Sequence, residues 1–186
     1  MKEELKFMIF PVVENQLPLG DFESWLYKQE ELSEQMSENL VLELYSFNYK
    51  QKDAKHVFKA AILHYFEKEE FMRWKIKVNL QDLINGRNVN DILSEFYWQL
   101  KDELPFLANL SYSLFELEEI DYGYRSRIQV MESIKSEATL LLDELLEDER
   151  TNPAFSIYFF NRKAVSWVDT KMADAENSKK WWQLWK

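Results

Sequence analysis

The sequence predicts a mainly α fold, a multi-helix bundle, and three observations support this prediction. Apolar residues recur at helical spacing along most of the 186-residue chain. Only 3 glycines and 4 prolines occur, which is too few to punctuate the many short strands of a sandwich or barrel. Hydrophobic residues make up 46% of the chain and include 13 Phe, 9 Tyr and 7 Trp, so a sizeable core can be filled.

The N-terminal residues 1–19 are predicted to form an irregular lead-in that docks on the body through its apolar side chains. The first helix is predicted to start at Asp21, whose carboxylate can cap the free N–H groups of the first turn. Its apolar face consists of Phe22, Trp25 and Leu26. A second short helix is expected over residues 30–36.

Residues 40–47 form an apolar run that fits either a helix or a buried strand. We predict a helix because no second strand of similar character lies nearby to pair with it. The clearest amphipathic helix follows over residues 53–66, with Asp53 as its cap. The apolar face of that helix comprises Ala54, Val57, Phe58, Ala61, Ile62, Tyr65 and Phe66.

Residues 70–84 continue as a helix with apolar residues on two sides, and Asn85-Gly86 supplies its stop. Asn90 is predicted to cap the next helix, which Pro105 ends while starting another. The buried positions of these two helices are predicted to be Ile92, Leu93, Phe96, Tyr97, Leu100 and Leu104, then Phe106, Leu107, Leu110, Leu114 and Leu117.

The last long helix is predicted to run from Tyr124 to about Glu149, after a break at residues 121–123. Its apolar stripe covers too few heptads for a coiled coil and is interpreted as bundle core. Residues 155–168 fit either a helix starting at Pro153, which we favour, or a short β-hairpin. Residues 1–170 are thus expected to form one helical domain, followed over 171–186 by a polar linker and a tail rich in Trp and Lys.

The sequence offers no catalytic motif and no metal or cofactor site. The absence of cysteine excludes disulfides, thiolate metal ligands and Cys nucleophiles. The two histidines, His56 and His64, lack the i, i+4 spacing of a helical zinc site, and no glycine-rich phosphate-binding loop occurs. The clustered acids of residues 116–121 could serve acid–base chemistry only if desolvated, and a solvated rim is the favoured interpretation. We therefore predict a protein that is not an enzyme.

The net charge of −10 is concentrated, with 11 acidic and 4 basic residues between positions 105 and 150. Such a surface repels nucleic acid and attracts a basic protein. The predicted partner-binding residues form two acidic groups: Glu116, Glu118, Glu119, Asp121, Tyr122 and Tyr124, then Glu144, Glu147, Asp148 and Glu149.

The sequence contains no segment typical of a signal peptide and no run of about 18 apolar residues, so a cytoplasmic location is expected. The C-terminal stretch KKWWQLWK combines indole rings with positive charge, which is typical of an interfacial membrane contact. Docking on the acidic body or on a partner is the favoured interpretation of this stretch.

Three segments carry a resemblance to a known family: DFESWLY (Asp21–Tyr27), YSFNYK (Tyr45–Lys50) and KDAKHVF (Lys52–Phe58). Across Asp21–Ile84 the chain resembles helical immunity proteins of bacterial polymorphic or contact-dependent toxin systems. The resemblance implies a protein that binds and neutralises a cognate toxin, often a nuclease. The alternative is a helical adaptor or peptide-binding scaffold whose Trp/Lys tail contacts a membrane or a partner.

Overall fold

A computed structural model of the protein describes residues 3–29, 37–120 and 125–160. Within these ranges the chain forms eight α-helices and no β-strand, which confirms the mainly α fold. The helices are α1 (Glu3–Val13), α2 (Leu19–Leu26), α3 (Glu38–Ser46), α4 (Ala54–Leu63), α5 (Lys68–Ile84), α6 (Val89–Glu95), α7 (Ala108–Glu118) and α8 (Arg127–Thr151). The short helix predicted for residues 30–36 and the break at 121–123 lie outside the described residues.

The chain divides into two compact units, Met1–Leu80 and Gln81–Lys186, with the boundary inside α5. Unit 1 thus holds α1 to α4 and most of α5, and unit 2 holds the end of α5 and the helices after it. The single domain predicted for residues 1–170 stays a prediction. The linker and tail of residues 171–186 lie beyond the described part of the chain.

The irregular lead-in predicted for residues 1–19 is wrong, because residues 3–13 form helix α1 with Pro11 inside it. Tertiary packing explains the difference. Ile9 and Phe10 are buried, and the Phe10 ring lies 4.9 to 5.4 Å from three further aromatic rings. Those rings belong to Phe66, Phe71 and Trp74. The segment has only a weak local preference for a helix, and these contacts between residues distant in sequence stabilise the helix.

Two of the predicted helix starts in unit 1 differ in detail. Helix α2 begins at Leu19 rather than Asp21, with Pro18 in the cap position, although Phe22 and Leu26 are fully buried as expected. Asp53 does precede α4, but its backbone is left-handed (φ 58°) and its side chain makes no capping hydrogen bond. The predicted capping of α4 by the Asp53 carboxylate is therefore wrong.

The α4 face is narrower than predicted, while the helix over residues 40–47 is confirmed. Helix α4 ends at Leu63 and buries Ala54, Phe58 and Ile62, whereas Val57 is exposed. Helix α3 covers the ambiguous stretch as far as Ser46. Ser37 caps its N-terminus, since its hydroxyl accepts a hydrogen bond from an N–H of the first turn.

Gly86 ends α5 as predicted, with a left-handed backbone at φ 71°. We expect Gly86→Ala to lower the free energy of unfolding by about 1–2 kcal/mol, because an L-residue is strained in this conformation. A Cβ here would meet side-chain ends of α8 no closer than 3.8 Å, so strain and not collision sets the cost.

Gly20 lies inside α2 with nothing within 4 Å of a Cβ, and Gly20→Ala should raise stability by about 0.4–1 kcal/mol. Urea unfolding measures the free energy of unfolding of both variants. A change of the same sign in the two would contradict the role assigned to the left-handed backbone of Gly86.

Unit 2 begins with a helical segment that changes geometry along its length. Asn88, in a left-handed conformation, occupies the position before α6, so the predicted cap at Asn90 is wrong. After Glu95 the chain widens into a π-helical turn over Phe96–Leu100, in which the Lys101 N–H donates to the carbonyl of Phe96 at 2.8 Å. A 3₁₀ turn at Pro105–Leu107 then leads into α7.

The apolar faces predicted for the helices α7 and α8 of unit 2 are mostly confirmed. In α7 and the turn before it, all five predicted positions are buried. Ser126 precedes helix α8 and caps it. In this capping box, the side chains of Ser126 and Gln129 each accept a hydrogen bond from the other residue's backbone N–H. Seven positions of the apolar stripe of α8 were predicted to face the core, and four of them are buried: Ile134, Ala138, Leu141 and Leu145. Met131 and Leu142 are half-buried, and the prediction for Ile128 is wrong, because this residue of the first turn is 73% exposed.

The helix favoured after Pro153 is wrong as far as residue 160, because residues 152–160 form turns and irregular backbone. No strand forms over 155–160 either, and the second half of the alternative hairpin falls outside the described ranges. The segment is held by rings: Phe160 contacts Phe106 and Phe155 at 5.0 and 6.2 Å between centroids, and Ile157 is buried. Side-chain contacts therefore fix this stretch without regular hydrogen bonding.

Candidate partner-binding surface

The first predicted acidic group lies at the C-terminal end of α7, where Glu116, Glu118 and Glu119 are all exposed. Glu116 is already engaged, since its carboxylate accepts a hydrogen bond from the Arg125 guanidinium at 2.8 Å. Within the described residues, Glu118 and Glu119 have no ion pair. The negative charge available to a partner here is therefore carried mainly by these two side chains. Asp121, Tyr122 and Tyr124 lie outside the described residues.

The second predicted acidic group occupies the last turns of α8 and is less uniform than the sequence indicated. Glu147 is exposed, whereas Glu144, Asp148 and Glu149 are half-buried. Glu147 accepts hydrogen bonds from Arg150, with the closest contact at 2.7 Å. The same hydrogen bond raises the pKa of Arg150. Each group thus contains one carboxylate paired with an arginine. The end of α7 differs in that its other two described acids, Glu118 and Glu119, are both exposed.

The outer face of α8 combines these acids with apolar side chains. Leu140 and Leu146 are exposed by 48% and 45%, although the sequence pattern is that of a helix with a polar outer face. Leu140, Asp143 and Glu147 follow one another at i, i+3 and i+7, so they lie along one stripe of the helix. Helices α7 and α8 pack on each other within unit 2.

Trp98 and Tyr112 are exposed aromatic residues of unit 2 that the sequence analysis missed. Trp98 is 69% exposed and Tyr112 is 52% exposed. Tyr112 lies on α7 at i, i+4 and i+7 with Glu116 and Glu119, so the three share the outward face of that helix. The spacing of Tyr112 from these acids was readable in the sequence. The exposure of Trp98 was not, since it depends on the π-helical turn.

A shallow hollow in unit 1, of about 480 Å³, offers little chemistry. Its lining includes His56, Asp53 and Tyr49. The Tyr49 hydroxyl donates to the carbonyl of Leu44 at 2.8 Å, and burial raises the pKa of this side chain, so the phenol stays protonated. A tyrosine held in this way braces the fold and is a poor acid–base group.

The described residues contain no cluster of three or more His, Cys, Asp or Glu side chains placed to hold a metal ion. In the same part of the chain no helix is both long enough and apolar enough to cross a membrane. No protein-family model, curated protein or solved structure matches this chain.

Proposed function

We propose that this protein is a non-catalytic binding protein that neutralises a cognate bacterial toxin, such as a basic nuclease, through the acidic end of α7. The observation that supports this most directly is the pair of exposed carboxylates of Glu118 and Glu119 at the end of the helix that also exposes the ring of Tyr112. The resemblance of residues 21–84 to immunity proteins supplies the toxin as the class of partner.

Charge explains how such a protein would reach its target quickly. Residues 105–150 carry a net charge of −7, which attracts a basic surface over about a Debye length, ~10 Å at 0.1 M salt. Electrostatic steering of this kind raises the association rate and makes it depend on salt. An inhibitor must bind before the toxin acts, so a fast association is what the function requires.

The proposal is tested by co-expression. Toxin domains encoded next to the gene are induced in a laboratory bacterium with or without this protein, and growth is followed. We expect growth to be restored for one such domain, and the purified pair to form a complex that weakens as salt is raised. Failure to relieve the toxicity of any neighbouring domain would exclude the proposed function.

The double variant Glu118→Gln/Glu119→Gln is expected to slow association with the toxin by roughly three- to tenfold at low salt, with a smaller effect on dissociation. Surface plasmon resonance at several salt concentrations measures both rates. Glu38→Gln/Glu43→Gln on α3 removes the same charge from unit 1 and is the matched control. Equal slowing by both variants would show that net charge alone, and not this site, steers the partner.

A further inference from the structure

Four aromatic side chains of unit 2 form a cluster that is partly buried and partly open. Tyr97 lies at its centre, with ring centroids 4.6 Å from Trp98, 5.7 Å from Tyr112 and 4.8 Å from Phe115. All three contacts are edge-to-face, with interplanar angles of 89°, 65° and 89°. Such contacts stabilise aromatic pairs beyond simple burial, so they hold the rings in place.

The two outer rings of this cluster are exposed although they are held firmly. Both Trp98 and Tyr112 contact the half-buried Tyr97, and more than half of each outer side chain is open to solvent. Exposed aromatic rings with restricted motion are the usual anchors of protein interfaces, because little side-chain entropy is lost when they bind. The π-helical turn that presents Trp98 is itself a geometry found frequently at functional sites.

The cluster already accommodates a cation. The ammonium group of Lys101 lies 4.8 Å from the centroid of the Tyr97 ring. Positive charge is therefore favoured over the Tyr97 ring, as the electron-rich face of an aromatic side chain predicts. The carboxylate of Glu119 follows Tyr112 at i+7, on the same face, and adds to the local negative potential, whereas the carboxylate of Glu116 is paired with Arg125.

We infer that Trp98 and Tyr112 form the central contact of the partner-binding surface, and that they receive an arginine side chain of a basic protein. The guanidinium group stacks on the indole or phenol ring, and the exposed carboxylate of Glu119 supplies the complementary charge. Arginine fits better than lysine, because its planar group stacks on aromatic rings and is more weakly hydrated. This inference rests on the proposed function, since it places the contact with the toxin.

The same charges favour a protein over other macromolecules as the occupant. Nucleic acid would bring phosphates against Glu116, Glu118 and Glu119, and anionic lipid headgroups would meet the same repulsion. A basic protein surface instead supplies the complementary charge together with the apolar contacts that the rings require.

The inference is tested with a defined probe, a fluorescent ten-residue oligoarginine peptide, and with an oligolysine peptide of equal length. Fluorescence anisotropy with the full chain measures both affinities. We expect the wild type to prefer oligoarginine, and Trp98→Ala or Tyr112→Ala to weaken its binding by about fivefold or more while the lysine peptide changes less. Trp98→Phe, which keeps an aromatic ring, should retain much of the preference.

Tyr27→Ala is the matched control, because Tyr27 is exposed to a similar degree (56%) but lies in unit 1. This variant should bind both peptides like the wild type. Circular dichroism confirms that each variant remains folded. The inference is overturned if the wild type shows no preference for arginine, if the Trp98 and Tyr112 variants bind unchanged, or if Tyr27→Ala weakens binding equally.

The inference and the proposed function can fail separately. If the wild type protects cells from a toxin and Trp98→Ala/Tyr112→Ala protects equally well, the rings are not the contact but the function stands. If the peptide results hold and the wild type relieves no toxicity, the surface binds arginine but the toxin proposal fails. Loss of protection in the double variant, with protection kept in Tyr27→Ala, supports both.

Discussion

Phe58→Ala is expected to lower the free energy of unfolding by about 3–5 kcal/mol, the largest effect of any single substitution proposed for this chain. Phe58 is fully buried in unit 1. Its ring lies 5.5 Å from Phe22, 5.2 Å from Phe47 and 6.2 Å from Tyr49. Removing the ring opens a cavity between α2, α4 and the segment after α3, where stiff aromatic neighbours can close it only partly.

Urea unfolding followed by far-UV circular dichroism and tryptophan fluorescence measures this loss. Val57→Ala, one residue away on the same helix, is the control, because Val57 is 41% exposed and its truncation should cost no more than about 0.5 kcal/mol. A loss below about 1 kcal/mol for Phe58→Ala would mean that the aromatic cluster does not hold unit 1 together.

Glu14→Ala is expected to cost about 3 kcal/mol, because it breaks an ion-pair network that is largely shielded from solvent. The two carboxylate oxygens of Glu14 contact the ammonium groups of Lys75 at 2.8 Å and Lys59 at 3.1 Å. The side chains of Glu14 and Lys75 are only 15% and 11% exposed. Loss of the carboxylate removes an anion 2.8 Å from the Lys75 ammonium group, which lies in a poorly solvated position.

The exposed pair of Glu147 and Arg150 provides the comparison. Their side chains are 60% and 71% exposed, so Glu147→Ala should cost no more than about 1 kcal/mol despite a similar distance. Urea unfolding of the two variants under identical conditions measures the difference. In the double variant Glu14→Ala/Lys75→Met the cost should be smaller than the sum of the single costs. Equal losses for Glu14→Ala and Glu147→Ala would contradict the role assigned to burial.

The local spacing of apolar residues predicts those helices that have a regular apolar face. The five predicted positions from Phe106 to Leu117 are all buried, as are four of the seven predicted in α8, because each helix packs through one face and the spacing of its apolar residues indicates that face. Ile128, which was predicted to face the core, is instead 73% exposed in the first turn of α8. Stop signals at Gly86 and Pro105 were also readable, since they follow from the backbone preferences of single residues.

The differences arise where distant contacts or cap geometry decide the structure. Helix α1 is stabilised by the packing of Phe10 on rings more than fifty residues away, which no local pattern records. The left-handed backbones of Asp53 and Asn88 shifted or altered two predicted caps. Sequence reasoning placed the exposed acids of α7 correctly on a surface, but it could not show that Arg125 and Arg150 neutralise some of them.

The π-helical turn at Phe96–Leu100 amounts to one additional residue accommodated within a helix, since its hydrogen bond spans five residues rather than four. Removing Gln99 would restore ordinary α geometry and rotate the positions before the deletion by about 100° relative to those after it. The Tyr97 ring, which contacts both Trp98 and Tyr112, would then turn away from Tyr112, or Leu100 and Leu104 would leave the core. A homologue that is one residue shorter at this point would therefore share the architecture but lack the arginine-stacking pair, which makes a single-residue gap a criterion for sorting homologues by binding capacity.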